Sequence, residues 1–178
     1  MKNWSYKITE GEHAGETLWS GRYCCVAGFI FRYSIEPFKL EILATKRSNK
    51  CPDFQGYVCC PCGFLEADET GEEGCAREIR EETGYIIDHK LLILDKAETD
   101  PAVCNKGHIT LIYSSVLLQD EFSYETPSMG EECDWVKWID VKDIDKYNWA
   151  FGHDRILKEM LIKLGYDNED NNDLDLYL

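Results

Sequence analysis

Residues Gly63 to Tyr85 read GFLEADETGEEGCAREIREETGY, and the rest of the chain is best read outward from them. Thr70 followed three residues later by Glu73 is a capping-box pattern, and Gly84 stands where a left-handed C-terminal cap belongs, so the spacing predicts a helix over Gly71 to Thr83. At roughly 100° per residue, Glu78, Glu81 and Glu82 fall within one arc of about 100°, while Cys75, Ala76, Ile79 and Thr83 take the neighbouring face. One face packs; the next is a carboxylate cluster. Glu73 precedes Arg77 by four residues in the favourable acid-before-base order, which predicts that it holds this arginine beside Glu81.

Such a cluster works against the helix that carries it. Glu78 and Glu82 are like charges at i and i+4, which costs an isolated helix about 0.2 to 0.5 kcal/mol, and Glu81 adds to the repulsion. Hard divalent cations give the arrangement a reason, because Mg²⁺ prefers oxygen ligands, keeps several waters and is held by a few carboxylates together with substrate phosphates. The bland alternative is a solvated acidic face in a protein with 34 acidic and 19 basic residues.

More than charge is arranged here, however. Gly63, Glu69, Arg77, Glu78, Ile79, Glu81, Glu82 and Gly84 stand at the spacing G-x5-E-x7-R-E-(apolar)-x-E-E-x-G. Ordinary residue frequencies would produce this by chance on the order of once in 10⁵ such chains. The pattern resembles the signature box of the Nudix hydrolases. The chain departs from the usual box at Tyr85, the final apolar position, and at Cys62, where a second glycine commonly stands.

The resemblance implies an α/β fold, an α/β/α sandwich with a mixed β-sheet, in which the box forms a loop-helix-loop. It implies that Glu78, Glu81 and Glu82 bind divalent metal, Mg²⁺ with Mn²⁺ as a substitute, that Arg77 orients them, and that the carbonyl of Gly63 or of Cys62 completes the coordination. The implied reaction is attack of water on a phosphorus of a nucleoside diphosphate linked to another group, with the metal lowering the pKa of that water. Relatives often draw the general base from a loop after the box, which makes Glu131 and Glu132 in EECDWVKW the candidates and Glu82 the fallback. Arg47 resembles a basic residue near the family's substrate cleft, where it would meet phosphate. Trp149 to Asp154, WAFGHD, is similar to a segment of ADP-ribose-hydrolysing relatives, and ADP-ribose or a dinucleotide therefore stands ahead of a modified nucleoside triphosphate. A nucleotide-sensing protein that keeps the fold without turnover is the alternative. Many relatives are homodimers.

The remainder of the chain is compatible with this. At 178 residues it has the length of one domain, with residues 1–20 as an arm or a short strand around Trp4 to Ile8, and 167–178 as an acidic tail. A formal charge of -15 argues against a nucleic-acid polymer or an anionic membrane as partner, yet a small anion remains admissible where a cation inverts the local field. The opening MKNWSYK lacks a signal-peptide core, and no run approaches the ~20 apolar residues of a membrane span, which predicts a cytoplasmic protein.

Apolar runs predict strands at Tyr23 to Phe31, the first covered on both faces, and at Lys39 to Thr45, Tyr57 to Cys60, Leu91 to Thr99, His108 to Leu118 and Trp135 to Ile139. Asp120 to Cys133 reads as a polar loop, and Trp149 to Leu164 as an amphipathic helix. Trp19, Tyr23, Trp149 and Phe151 are candidates to stack on a base or to pack in the core, and His108 and His153 read as packing residues. Nine cysteines in a reducing compartment act chiefly as small hydrophobes. Cys59-Cys60-Pro61-Cys62 holds a C-x2-C, but a zinc site would need a second ligand pair.

Overall fold

The computed structural model describes residues 5–19, 22–35, 38–100, 108–118, 122–125 and 132–166. A short hairpin of β1 (Ser5–Lys7) and β2 (Thr17–Trp19) decides the open question about the start of the chain in favour of strand. Then come β3 (Cys24–Ile35), β4 (Phe38–Arg47), β5 (Val58–Cys59), β6 (Cys62–Phe64), α1 (Gly71–Thr83), β7 (Tyr85–Ile87), β8 (Ile93–Glu98), β9 (Ile109–Leu117), β10 (Phe122–Tyr124), β11 (Cys133–Asp140) and α2 (His153–Lys163). Among the described residues no helix is long and apolar enough to cross a membrane.

The main sheet runs β11-β4-β3-β9-β8, with β3 and β9 parallel and the other neighbours antiparallel. β3 and β4 pair only from Phe31 opposite Ile42 to Ile35 opposite Phe38. Farther along they part. The beginning of β3 takes β6 as its neighbour, and the end of β4 takes β5, so the two short strands and the turn between them fill the fork. Gly28 N–H donates to Pro61 O at 2.9 Å and ties this turn to β3.

Alternation along β3 serves two cores. Ala27, Phe29 and Phe31 join Leu40 and Ile42 of β4 under Ile156, Leu157, Met160 and Leu161 of α2. Val26 and Ile30 face the other way, with Leu43, Tyr113 and Leu117, against Cys75 and Ile79 of α1. A strand buried on both faces reads as an unbroken apolar run for this reason. Helix, mixed sheet and helix form the α/β/α sandwich expected from the resemblance.

The strand expected at Tyr57 to Cys60 is β5, and Pro61 separates it from the further short strand β6. Two sequence expectations need correction. The polar stretch after Asp120 contains β10, which pairs with β7 beside the end of α1. The last helix begins at His153, four residues after Trp149, since Phe151 and Gly152 both have positive φ, 59° and 68°, and Trp149 bridges to Val58. The acidic tail lies outside the described residues.

Candidate active site

Helix α1 is capped at both ends as its sequence demands. Thr70 Oγ1 accepts from Glu73 N–H at 3.3 Å, Glu73 Oε2 accepts from Thr70 N–H at 2.8 Å, and Gly84 closes the helix at φ 77°. This occupies Glu73 with capping. Arg77 is held instead by Glu69 from the preceding loop, which accepts from Nε at 3.0 Å and from Nη2 at 2.8 Å. The same guanidinium donates from Nη1 to Glu78 at 2.8 Å and to Glu81 at 3.1 Å, and from Nη2 to Phe64 O at 2.9 Å. A planar fork with five donors can join three carboxylates in this way; an ammonium cannot. The paired guanidinium holds the Glu69 carboxyl below the usual glutamate range.

The helix presents Glu78 and Glu82 to a cavity of about 680 Å³. Both are buried, and Glu82 Oε2 accepts from Cys62 N–H at 3.3 Å. Burial raises the Glu78 pKa, opposed by Arg77 and reinforced by Glu81 and Glu69. Burial raises that of Glu82 well above the ordinary value, with Cys59 and Glu78 adding to the effect, against the opposing Cys62 N–H and Arg47. Two carboxyls that share a cavity and resist ionisation there are what a cation would relieve. Glu81 is half-buried and lines a second concavity of about 450 Å³ with Arg80, Ile86 and Glu125, while Arg77 borders both.

Gly63 borders the cavity beside Glu78, and Cys62 beside Glu82. Arg47, Glu132, Phe151 and His153 line the same cavity. Arg47 is fixed to Asp53 by Nη2 to Oδ1 at 2.8 Å and Nε to the carbonyl at 3.1 Å, with its guanidinium 5.0 Å from the Phe151 ring centre. Glu132 is exposed, and its carbonyl accepts from Ser48 N–H at 2.8 Å. Glu131 lies outside the described residues. The structure thus brings Gly63, Arg77, Glu78, Glu82, Glu132 and Arg47 to one cavity.

In the sequence His153 reads as a packing residue. It is buried, and Nδ1 accepts from Cys60 N–H at 3.0 Å across 93 positions of sequence. Burial, followed by the nearby Arg47 charge, lowers its pKa to about 3, so the ring is neutral, and the bonded Nδ1 leaves the proton on Nε2. Its only sequence signal was the WAFGHD segment. Among the stacking candidates, Trp149 belongs to the core and donates Nε1–H to Ile144 O, whereas Tyr23 is 70% exposed and packs edge-on against Phe64 and His108 near the cavity. The Trp19 side chain lies outside the described residues.

Among the described residues no three Asp, Glu, His or Cys side chains gather tightly enough to cage an ion by themselves. Oxygen donors on two neighbouring helical turns beside an open cavity nevertheless fit magnesium, which typically takes one or two carboxylates and completes its shell with water and phosphate.

Comparison with known proteins bears on the family and the fold. The family model described as NUDIX domain matches residues 32–160. An ADP-ribose pyrophosphatase of Methanocaldococcus jannaschii is 33% identical over 123 residues, 68% of this chain and 66% of that protein. Putative nudix hydrolase 2 of Caenorhabditis elegans is 38% identical over 56 residues, 28% of this chain and 25% of that protein. The chain therefore spans just under two thirds and a quarter of these curated relatives. Among solved structures, the NUDIX domain of Shewanella oneidensis NrtR complexed with ADP ribose superposes with a TM-score of 0.67 at 21% identity, covering 82% of this chain and 90% of that one. A MutT/nudix family protein from Enterococcus faecalis gives 0.66 at 20% identity, over 82% and 64%. With its box helix, its forked mixed sheet and a family match across most of its length, this chain belongs to the NUDIX domain family.

Proposed function

We propose that the protein is a divalent-metal-dependent hydrolase of phosphoanhydride bonds, acting on a nucleoside diphosphate linked to a second group. The observation that carries this reading is the burial of Glu78 and Glu82, one helical turn apart, against Gly63 and Cys62 at one cavity. Helix and core stability give no reason to bury two acidic side chains side by side there. The similarity to the Methanocaldococcus jannaschii ADP-ribose pyrophosphatase favours ADP-ribose as the first substrate to try.

Glu78 and Glu82 hold Mg²⁺ or Mn²⁺, with the Gly63 carbonyl and, at the edge of the cluster, Glu81 as further ligands. A bound divalent cation neutralises the diphosphate and lowers the pKa of a water. Arg77 keeps Glu78 and Glu81 in register by tying both to Glu69. Arg47, stiffened by Asp53 and stacked on Phe151, meets substrate phosphate. Glu132, exposed at the cavity, takes the proton from water, and Glu131 is the neighbouring candidate for that role. Glu82 suits the role of base less, because burial raises its pKa and so disfavours the ionised form.

The test is a panel of nucleoside diphosphate derivatives, ADP-ribose first, incubated with and without Mg²⁺ or Mn²⁺ and resolved by product chromatography. Metal-dependent release of a nucleoside monophosphate is expected. Tight binding of one panel member with no turnover under any metal would replace this reading with that of a nucleotide sensor.

A further inference from the structure

We infer that His153 is a substrate-binding residue whose Nε2–H donates, beside Arg47, to a phosphoryl oxygen of the nucleotide, an assignment that rests on the function proposed above. The residue is 3% exposed and borders the cavity of Glu78 and Glu82. Its Nδ1 accepts from Cys60 N–H at 3.0 Å, which leaves Nε2 as the nitrogen that carries the proton. Among the described residues Nε2 has no hydrogen-bond partner. It is not sealed in the core either, since the fully buried side-chain oxygens and nitrogens without a partner among those residues comprise Asp95 Oδ2 alone. A nearly buried donor that opens on a cavity is placed to bond what enters it.

The surroundings favour an anionic acceptor. Arg47 and His153 lie against one ring: the guanidinium carbon is 5.0 Å from the Phe151 centre, and the imidazole centre is 5.6 Å from it. Asp53 orients Arg47 through Nε and Nη2, so a fixed positive charge stands at the same corner. His153 is the first residue of α2, whose N-terminal end favours negative charge, and Ile156 from that turn also borders the cavity. A neutral imidazole supplies a hydrogen bond there without adding a second cation beside Arg47. With Nδ1 taken by Cys60, the ring can only donate, which matches a phosphoryl oxygen, an acceptor with no proton of its own.

The backbone is strained where it holds this corner. Among the described residues the non-glycine positions with positive φ are Phe54 at 47° and Phe151 at 59°, and their rings meet edge-on at 4.9 Å. Phe54 follows Asp53, which orients Arg47, and Phe151 stands two residues before His153. Left-handed backbone at bulky residues costs free energy and persists where the surrounding structure enforces it. Phe29 also packs edge-on against the imidazole, with the ring centres 5.1 Å apart. The bond from Cys60 and the contacts with Phe29 and Phe151 fix the ring before any ligand arrives, so binding does not have to order it.

The experiment labels the full wild-type chain with ¹⁵N-histidine and reads long-range ¹H–¹⁵N correlations by NMR, with His153→Gln assigning the His153 signal. The probe is ADP-ribose with a methylene in place of the bridging oxygen, which binds without being cleaved; AMP, ribose phosphate, adenosine and ribose are compared with it. We expect the proton on Nε2 in the free protein, and a downfield shift with slower exchange of Nε2–H when the analogue binds. AMP or ribose phosphate reproducing the shift tells which phosphate is held. His153→Met keeps a weak acceptor for Cys60 N–H but has no donor, and should bind the analogue about tenfold more weakly or worse, whereas His153→Gln, whose amide donates, should stay within about threefold. The wild-type spectra decide the matter even where the methionine variant fails to fold. A proton on Nδ1, an Nε2–H unmoved at saturation, or equal shifts from adenosine or ribose, which carry no phosphate, would overturn the inference. Failure of the hydrolase reading looks different: a shifted Nε2–H in a chain that cleaves no panel member under any metal leaves the donor standing in a sensor, while cleavage of ADP-ribose with no shift leaves the hydrolase standing without it. An analogue that does not bind at all, with or without Mg²⁺, sinks both.

Discussion

The Glu78 carboxyl rests directly on the Cα of Gly63, and a β-carbon added at Gly63 would overlap all three carboxyl atoms. The glycine is needed here for close approach, since neither helix nor strand geometry requires it. Gly63→Ala should push Glu78 aside and lower turnover about 10²-fold, the usual cost of misplacing a reacting group by roughly an ångström. Steady-state kinetics on ADP-ribose check this, with circular dichroism as the control for folding. Unchanged kinetics would mean that Glu78 has no fixed place in the reaction.

Glu82→Gln separates catalysis from stability. Removing the charge should reduce turnover by about 10²- to 10⁴-fold. Stability should respond in the opposite sense, because the folded-state pKa of Glu82 is raised by burial above the ordinary 4.5. The folded protein then holds a proton that the unfolded chain releases, so this contribution is present below pH 4.5 and is lost as pH rises toward the folded value. Without metal, the urea midpoint of the wild type should fall with rising pH relative to the glutamine variant. Parallel midpoints from pH 5 to 8 would contradict the buried-acid picture.

Arg77→Lys keeps the charge and loses the fork. A lysine cannot span Glu69, Glu78, Glu81 and the Phe64 carbonyl together. The side chain retains 24% exposure, so the loss should fall somewhat below that of a fully buried pair, at about 2 to 4 kcal/mol. Chemical denaturation measures it. A variant of wild-type stability would show that water replaces the lost bonds without penalty.

His153 supplies a pH test of opposite sign. Its pKa is lowered from 6.5 to about 3 by burial and then by Arg47. Between those values the unfolded chain binds a proton that the folded one refuses, so stability is fully present above pH 6.5 and is lost as pH falls, by about 1.4 kcal/mol per pH unit. His153→Gln keeps an acceptor for Cys60 N–H but cannot titrate. The wild type should lose stability relative to this variant when denaturation is repeated from pH 7 down to 5; identical slopes would place the imidazole in contact with water.

What the amino-acid sequence determined by itself was local. The capping box at Thr70 and Glu73 and the glycine stop at Gly84 join residues that are neighbours in sequence and in space, and the apolar runs later seen as β3 and β9 carry their strand signal within themselves. Helical periodicity also placed three glutamates on one arc. It reports angle around an axis, however, and not which surface covers that angle. The return of the preceding loop, which brings Glu69 onto Arg77, decided that Glu78 and Glu82 border the large cavity while Glu81 borders the other. Long-range closure likewise seated His153 against Cys60 and brought Arg47 to the cavity that the box helix lines. Such contacts join residues that share no local pattern, and only the packing of α2 and the forked sheet brings them together.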